Sequence, residues 1–182
     1  MNPELRNRLQ TFLMPLYQDV DGVSRFEEVE RIARIARALH QPATDEEAHA
    51  LELLLLFQRL GNWLDRVGNV SRTVLAIGGG LSEGDLRRTA MSIRRLDVPE
   101  STIERVVAAA VLIDRAGLRG LAQRFASSRR EGQSILDVIR EALAETWIPD
   151  WVPESGRAWL ERRHEAKRQY CARILDELAL KD

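Results

Sequence analysis

Hydrophobic residues recur along most of this chain at intervals of three and four, the spacing that aligns side chains on one face of an α-helix. No stretch alternates polar and apolar residues in the way that predicts a β-strand. We therefore predict an all-α protein in which residues 1–182 form a single-domain helical bundle of about eight or nine helices. Three apolar stripes show the spacing well: Leu5, Leu9, Phe12, Leu13 and Leu16; Val29, Ile32, Ala33, Ala36 and Leu39; and Val106, Val107, Ala110 and Ile113.

Capping signals locate the starts of several predicted helices. Thr44 followed by Glu47 has the capping-box spacing, in which each side chain satisfies a backbone N–H of the first turn. Ser82 followed by Asp85 has the same spacing and predicts the start of another helix. Pro99 fits the first turn of a helix, where its missing N–H costs nothing. An ordered loop with two prolines and two tryptophans is predicted over residues 147–153. The predicted helices cover residues 44–66, 71–77, 82–96, 99–117, 134–147 and 154–180, in addition to the first two stripes.

Composition and charge exclude several classes of partner. The chain has 27 basic and 28 acidic residues, so its net charge of −1 argues against nucleic acid or an anionic membrane surface as a partner. The longest apolar runs, residues 51–57 and 106–113, are too short to span a bilayer. The single cysteine, Cys171, excludes an internal disulfide and the amino terminus lacks a signal-peptide pattern. We expect a cytoplasmic protein.

Two other features of the sequence are interpreted as structural. The three histidines, His40, His49 and His164, lack zinc-site spacing, and we expect them at the surface or at the edge of the core. The glycine run over residues 78–80 has neither a preceding strand nor a following Lys-Ser/Thr pair. It is therefore interpreted as a helix stop and not as a phosphate-binding loop.

Two segments, residues 54–62 and 112–126, resemble parts of the HD superfamily of metal-dependent phosphohydrolases, of the small bacterial single-domain type. In that family the first segment reads apolar–His–Asp–Ile–Gly, and here it reads Phe57-Gln58-Arg59-Leu60-Gly61. The second segment follows a metal-binding aspartate in the family and here contains Gly117-x-x-Gly120. The resemblance covers about residues 15–180. It implies a helical bundle built around a divalent metal ion.

The residues at the implied metal-ligand positions depart from the family pattern. Glu28 stands where the family has its first His, and Gln58 and Arg59 replace the adjacent His–Asp pair. The distal aspartates are replaced by Ala109 and Val111. Arg59 is a permanent cation, and a guanidinium about 4 Å from a divalent ion would be repelled by roughly 8 kcal/mol at an effective dielectric of about 20. The resemblance therefore implies a pseudoenzyme with no metal and no cofactor.

Two residues at other motif positions keep the family's identity. Arg31 matches the arginine that follows the first ligand, and Asp114 matches the last aspartate of the distal run, which supports the scaffold. Arg59 either pairs with a carboxylate such as Glu28 or Asp114, or joins Arg31 in a pocket for phosphate-like anions. The candidate site residues are accordingly Glu28, Arg31, Gln58, Arg59 and Asp114.

Two functions are consistent with this sequence. The leading one is a catalytically inactive HD-like protein that acts through a protein partner or as a nucleotide- or anion-binding regulator. The alternative is a metal-dependent phosphohydrolase acting on a nucleotide or phosphoester, with its ligands relocated to Glu28, Asp114 and a histidine. The partner, the ligand and the state of oligomerisation are not determined by the sequence, and a homo-oligomer remains open.

Overall fold

The computed structural model describes residues 1–19, 26–145 and 147–179, which form ten α-helices and contain no β-strand. The all-α prediction is confirmed, and the described residues hold one or two helices more than expected. The helices are α1 (Pro3–Asp19), α2 (Phe26–Leu39), α3 (Asp45–Phe57), α4 (Gly61–Leu64), α5 (Asn69–Ile77), α6 (Glu83–Arg94), α7 (Thr102–Ala116), α8 (Leu118–Glu131), α9 (Ile135–Ala144) and α10 (Glu154–Ala179).

The prediction of one continuous helix over residues 44–66 is wrong. Helix α3 ends at Phe57, and the short helix α4 begins only at Gly61. The intervening Leu60 leaves helical geometry, with φ −106° and ψ 19°. A Cβ at Gly61 would lie 2.9 Å from Cγ2 of Ile93, so the glycine allows α4 to pack closely on α6. This glycine lies directly after the break in the helix.

Helix α7 begins at Thr102 and not at Pro99 as predicted. The Glu104 N–H donates to the Ser101 hydroxyl at 3.2 Å, and the Glu104 carboxylate accepts from the backbone N–H groups of Ser101 and Glu100. This reciprocal arrangement satisfies the free N–H groups of the first turn. Ser101 therefore caps α7, and the proline lies in the preceding turn.

The other two predicted capping pairs differ from each other. At the start of α6, Ser82 and Asp85 form a complete capping box, as the sequence predicts. At the start of α3, Thr44 accepts from the Glu47 N–H, but the Glu47 carboxylate accepts from the N–H of Ala43 at 2.6 Å. The Glu47 carboxylate therefore binds the N–H of Ala43, whereas a capping box requires it to bind the N–H of Thr44.

The described chain divides into two compact units, residues 1–108 and residues 109–182, with the boundary inside α7. In the first unit, α1 packs on α2, α3 and α5, and α3 also packs on α2 and α6. Phe12 and Trp63 meet edge to face at the side of its core, with ring centroids 6.1 Å apart. The buried core residues there are Leu5, Leu9, Leu13, Tyr17, Val29, Leu53, Leu56, Phe57, Leu60, Leu64, Ile77, Leu81, Leu86 and Ala90. The prediction that residues 1–182 form one domain stays a prediction.

In the second unit, α8, α9 and α10 pack against one another in pairs. Their shared core consists of Leu121, Val138, Ile139, Ala142 and Cys171. Burial raises the pKa of the Cys171 thiol, which supports its interpretation as a packing residue. Along the described residues, no helix combines the length and the low polarity that crossing a bilayer requires.

We predict that Gly120→Ala destabilises the protein by about 3 kcal/mol or more, because overpacking against fixed backbone is costly. A Cβ at Gly120 would lie 1.7 Å from the carbonyl oxygen of Arg115, which belongs to the backbone and has little freedom to move. Urea unfolding followed by circular dichroism measures the loss. Gly117→Ala is the matched control, because a Cβ there would lie 3.6 Å from the nearest atom, an ordinary contact with the flexible Arg163 side chain. Equal losses for the two variants would contradict this steric explanation.

Candidate functional site

Arg59 and Glu28 form an ion pair in the first unit. Arg59 lies in the turn after α3, and its Nη2 atom donates to Oε1 of Glu28, on α2, at 2.6 Å. The side chain of Glu28 is only 7% exposed and that of Arg59 is 26% exposed. A carboxylate so deeply buried requires a positively charged or hydrogen-bonding partner. The structure therefore supports the interpretation in which Arg59 pairs with Glu28, and the pair joins α2 to the end of α3.

Tyr17 completes this site from α1. Its side chain is almost fully buried, and its hydroxyl donates to the carbonyl oxygen of Leu56 at 2.6 Å. That carbonyl lies in the last turn of α3, where backbone oxygens lack helical partners. Burial raises the pKa of Tyr17 far above its usual value, although a backbone hydrogen bond from Arg59 and the charge of Arg59 act in the opposite direction. Tyr17 is therefore a neutral donor that holds α1 against the turn carrying Arg59.

Sequence reasoning missed Tyr17 as a site residue. It follows Leu13 by four positions and so continues the apolar stripe of α1, which indicates a core residue. A buried tyrosine hydroxyl needs a hydrogen-bond partner, but the stripe gives no information about which partner it finds.

Gln58 is buried and bonds to its own helix. Its Nε2 atom donates to the carbonyl oxygen of Leu55 at 3.2 Å. The amide thus satisfies a carbonyl in the last turn of α3, where a glutamine acts as a local cap. Gln58 thus caps a helix, and its neighbour Arg59 forms an ion pair.

The remaining candidates lie in different parts of the chain. Arg31 is half-buried on α2, three residues after Glu28. Asp114 is buried near the end of α7 and belongs to the second unit. Within the described ranges, no three His, Cys, Asp or Glu side chains are grouped closely enough to hold a metal ion. Of the predicted site residues, Glu28 and Arg59 are in direct contact, and Gln58 lies next to Arg59 in the chain.

The three histidines occupy separate environments. His40 lies 3.0 Å from Glu47, and His49 lies 4.0 Å from Asp85, both half-buried in the first unit. His164 is buried in the second unit. His40 and His49 therefore lie at the edge of the core, as predicted, whereas the same prediction is wrong for the buried His164.

A buried lysine organises charges in the second unit. The side chain of Lys167, on α10, is only 3% exposed, and its Nζ atom donates to Oε2 of Glu145 at 2.9 Å. Arg124, on α8, binds both oxygens of the same carboxylate at 2.7 Å. Burial works against the charged form of Glu145, but its hydrogen bond with Lys167 and the charges of Lys167 and Arg124 lower its pKa overall. One feature of the sequence distinguishes this residue, because Lys167 is one of two lysines in an arginine-rich chain.

His164 lies three residues before Lys167 on α10. Its Nδ1 atom is buried without a hydrogen-bond partner among the described residues. Burial first, and then repulsion from Lys167, lower the pKa of His164 below its usual value. The imidazole is therefore neutral at pH 7 and acts as a packing group.

Comparisons with known proteins give one structural relative. No protein-family model matches the chain, and no curated protein matches its sequence. The crystal structure of Bacillus subtilis YpgQ in complex with ADP matches with a TM-score of 0.64, covering 96% of this chain and 95% of that one at 16% identity. The similarity shows that the two chains share a fold, which is helical and extends over nearly the whole sequence.

We predict that Arg59→Met lowers the free energy of unfolding by about 3–5 kcal/mol, because it leaves the buried Glu28 carboxylate without its cation. Urea unfolding at pH 7 measures the loss. The double variant Glu28→Gln with Arg59→Met should recover much of it, since no buried charge then remains. Arg87→Met is the control, because its ion pair with Glu83 is exposed and worth less than about 1 kcal/mol. Equal losses in the single and double variants would contradict the assignment.

We predict that His164 makes the protein less stable in acid. The unfolded chain binds a proton at His164 near pH 6.5, whereas the folded chain binds it only at lower pH. The stability is therefore fully present above pH 6.5 and decreases as the pH falls toward the lowered folded-state pKa. His164→Leu should show a smaller loss between pH 8 and pH 5.5 in urea unfolding than the natural chain does. A loss unchanged by His164→Leu would remove this role.

Proposed function

We propose that this protein is a catalytically inactive HD-like protein that acts by binding, either as a partner of another protein or as a nucleotide-responsive regulator. The observation that carries the proposal is the ion pair between Arg59 and Glu28. Both residues stand at positions where the resemblance to the HD superfamily implies metal ligands. An interaction within the protein occupies the place that a ligand set would need.

The chemistry of the pair is unfavourable to a divalent ion. Oε1 of Glu28 lies 2.6 Å from a guanidinium, so an incoming cation would compete with Arg59 for that oxygen. It would also meet the charge of Arg59, with a repulsion of roughly 8 kcal/mol at about 4 Å and an effective dielectric of about 20. Gln58 offers a neutral amide oxygen in return, which is a weak ligand.

The pair also substitutes for the structural effect of a metal ion. A bound cation draws together the helices that supply its ligands, and here Arg59 connects its own turn to α2 through Glu28. Tyr17 extends the connection to α1 through the Leu56 carbonyl. The scaffold around the former site is therefore held together by groups that the chain itself supplies.

A nucleotide is the small ligand that we propose to test first. The structural relative was solved with ADP, and the two arginines of the predicted anion pocket, Arg31 and Arg59, suit phosphate groups. Because Glu28 compensates the charge of Arg59, we expect ADP to bind more weakly here than to a site with two uncompensated guanidinium groups.

The alternative function is a phosphohydrolase with relocated ligands. It requires Glu28 to leave Arg59 and join Asp114 and a histidine around an ion. The ion pair argues against this rearrangement, because releasing Arg59 from a carboxylate that is only 7% exposed costs several kcal/mol.

We predict that the purified protein contains no stoichiometric metal and hydrolyses neither ADP nor a generic phosphodiester, with or without added Mn²⁺. Elemental mass spectrometry and a phosphate-release assay on one preparation measure both. Chelator-sensitive turnover with stoichiometric metal would show that the protein is an enzyme. Calorimetric titration of the same preparation with ADP then separates a nucleotide regulator, which binds, from a protein that acts only through partners, which does not.

A variant that restores ligands tests the origin of the site. Glu28→His, Gln58→His and Arg59→Asp together recreate three ligands of the HD pattern, and we expect this variant to bind Mn²⁺ in calorimetry while the natural chain does not. Glu27→His with the same two changes is the control, because Glu27 is exposed beside the site on α2. Equal Mn²⁺ binding by the control would contradict the placement of Glu28 at a ligand position.

A further inference from the structure

The buried side of α10 carries two residues that can hold a charge. Leu160, His164, Lys167 and Cys171 are all buried and recur at intervals of three and four, so they share one face of the helix. His164 is 6% exposed, and Lys167 lies three positions further along the same face. The interior of the second unit therefore places an imidazole, which titrates near neutral pH, beside an ammonium group.

The negative charge that compensates Lys167 is already fully engaged. Oε2 of Glu145, at the end of α9, accepts from Nζ of Lys167 at 2.9 Å, and Arg124 of α8 binds both oxygens of the same carboxylate at 2.7 Å. Arg168, also on α10, adds a further positive charge that acts on His164. A proton on His164 would therefore create a second buried cation beside Lys167, while both oxygens of Glu145 are occupied.

The His164 ring also lacks a partner that could accept the additional proton. Its Nδ1 atom is buried and has no hydrogen-bond partner among the described residues. An imidazolium has an N–H on both ring nitrogens, so its Nδ1–H would meet no acceptor there. Burial first, and then the charge of Lys167, lower the pKa of His164, although Glu145 acts in the opposite direction. The packed second unit thus selects the neutral ring, and proton uptake favours an open state.

The core that α10 shares with α8 and α9 is small. It consists of Leu121, Val138, Ile139, Ala142 and Cys171, and the last two have short side chains. Segments with few buried apolar contacts open locally at a lower free energy than the whole chain. Separation of α10 from α8 and α9 would expose Cys171, which is fully buried and is the single cysteine of the chain.

We propose that His164 is a pH-sensitive switch: its protonation below neutral pH releases α10 from α8 and α9, and the second unit opens locally while the first unit stays folded. The other groups of the network keep their charge in this range. The pKa of Glu145 is lowered from its usual value of 4.5, so its carboxylate remains ionised above pH 5.5. His40 and His49 belong to the first unit and are not exposed by this opening.

The reaction of Cys171 with dithiodipyridine measures the opening in the full chain. The labelling rate of the urea-unfolded chain, divided by that of the native chain at the same pH, gives a protection factor that is independent of the ionisation of the thiol. Protonation of an exposed imidazole with a pKa of about 6.5 favours the open state by up to about tenfold at pH 5.5 relative to pH 7.5. We therefore expect the protection of Cys171 to fall by about three- to tenfold between these pH values. Unchanged protection would overturn the proposal.

Two variants assign the effect to His164. His164→Leu removes the titrating ring and should give equal protection at the two pH values. His164→Gln should do the same with a polar side chain, and it serves as the test if the leucine variant does not fold. His49→Gln is the control in the first unit and should keep the pH dependence of the natural chain. A pH dependence that persists in a folded His164 variant would assign it to another group and overturn the proposal.

The free energy of opening distinguishes a local switch from global unfolding. We expect the value obtained from Cys171 labelling at pH 5.5 to be smaller than the free energy of unfolding in urea at the same pH, because α10 separates without the first unit. Equal values would show that Cys171 is exposed only when the whole chain unfolds, and would overturn the local switch.

Discussion

The ion pair between Glu28 and Arg59 is the interaction on which the candidate site depends. A carboxylate that is 7% exposed is stable only with a compensating cation, and the chain supplies that cation from the turn after α3. The position of the turn depends in turn on Tyr17, which holds the Leu56 carbonyl. Helices α1, α2 and α3 of the first unit are thus linked through the Glu28 carboxylate, Arg59 and Tyr17. These contacts stabilise the unit as well as forming the candidate site.

The sequence was sufficient to predict the helices, because their apolar periodicity and their caps are local. The Ser82–Asp85 capping box was predicted from spacing alone. The two errors in helix bounds have different causes. Gly61, at the start of α4, packs against Ile93 of α6, a contact between residues that are distant in the sequence. The cap of α7 by Ser101 and Glu104 is local, and its Ser-x-x-Glu spacing was a signal that the preceding proline obscured.

Glu28 and Arg59 were predicted as site residues from a resemblance to the HD superfamily, and their opposite charges made pairing one of two interpretations. The roles of Gln58 and Tyr17 required coordinates, because an amide or a hydroxyl has many potential partners within a few ångströms. The buried network around Lys167 was missed for another reason: a lysine in a helix rich in arginine and glutamate has the sequence pattern of an exposed face, and only packing shows that it is buried.

The same ion pair limits the evolutionary routes that lead away from this site. A protein with only about 5–15 kcal/mol of stability cannot readily tolerate a buried charge that has lost its partner. A lineage that changed Glu28 or Arg59 alone would pass through such an intermediate, so replacing the pair without a loss of stability would require two nearly simultaneous substitutions. The salt bridge therefore resists replacement by single substitutions, because each of its partners is tolerated only together with the other.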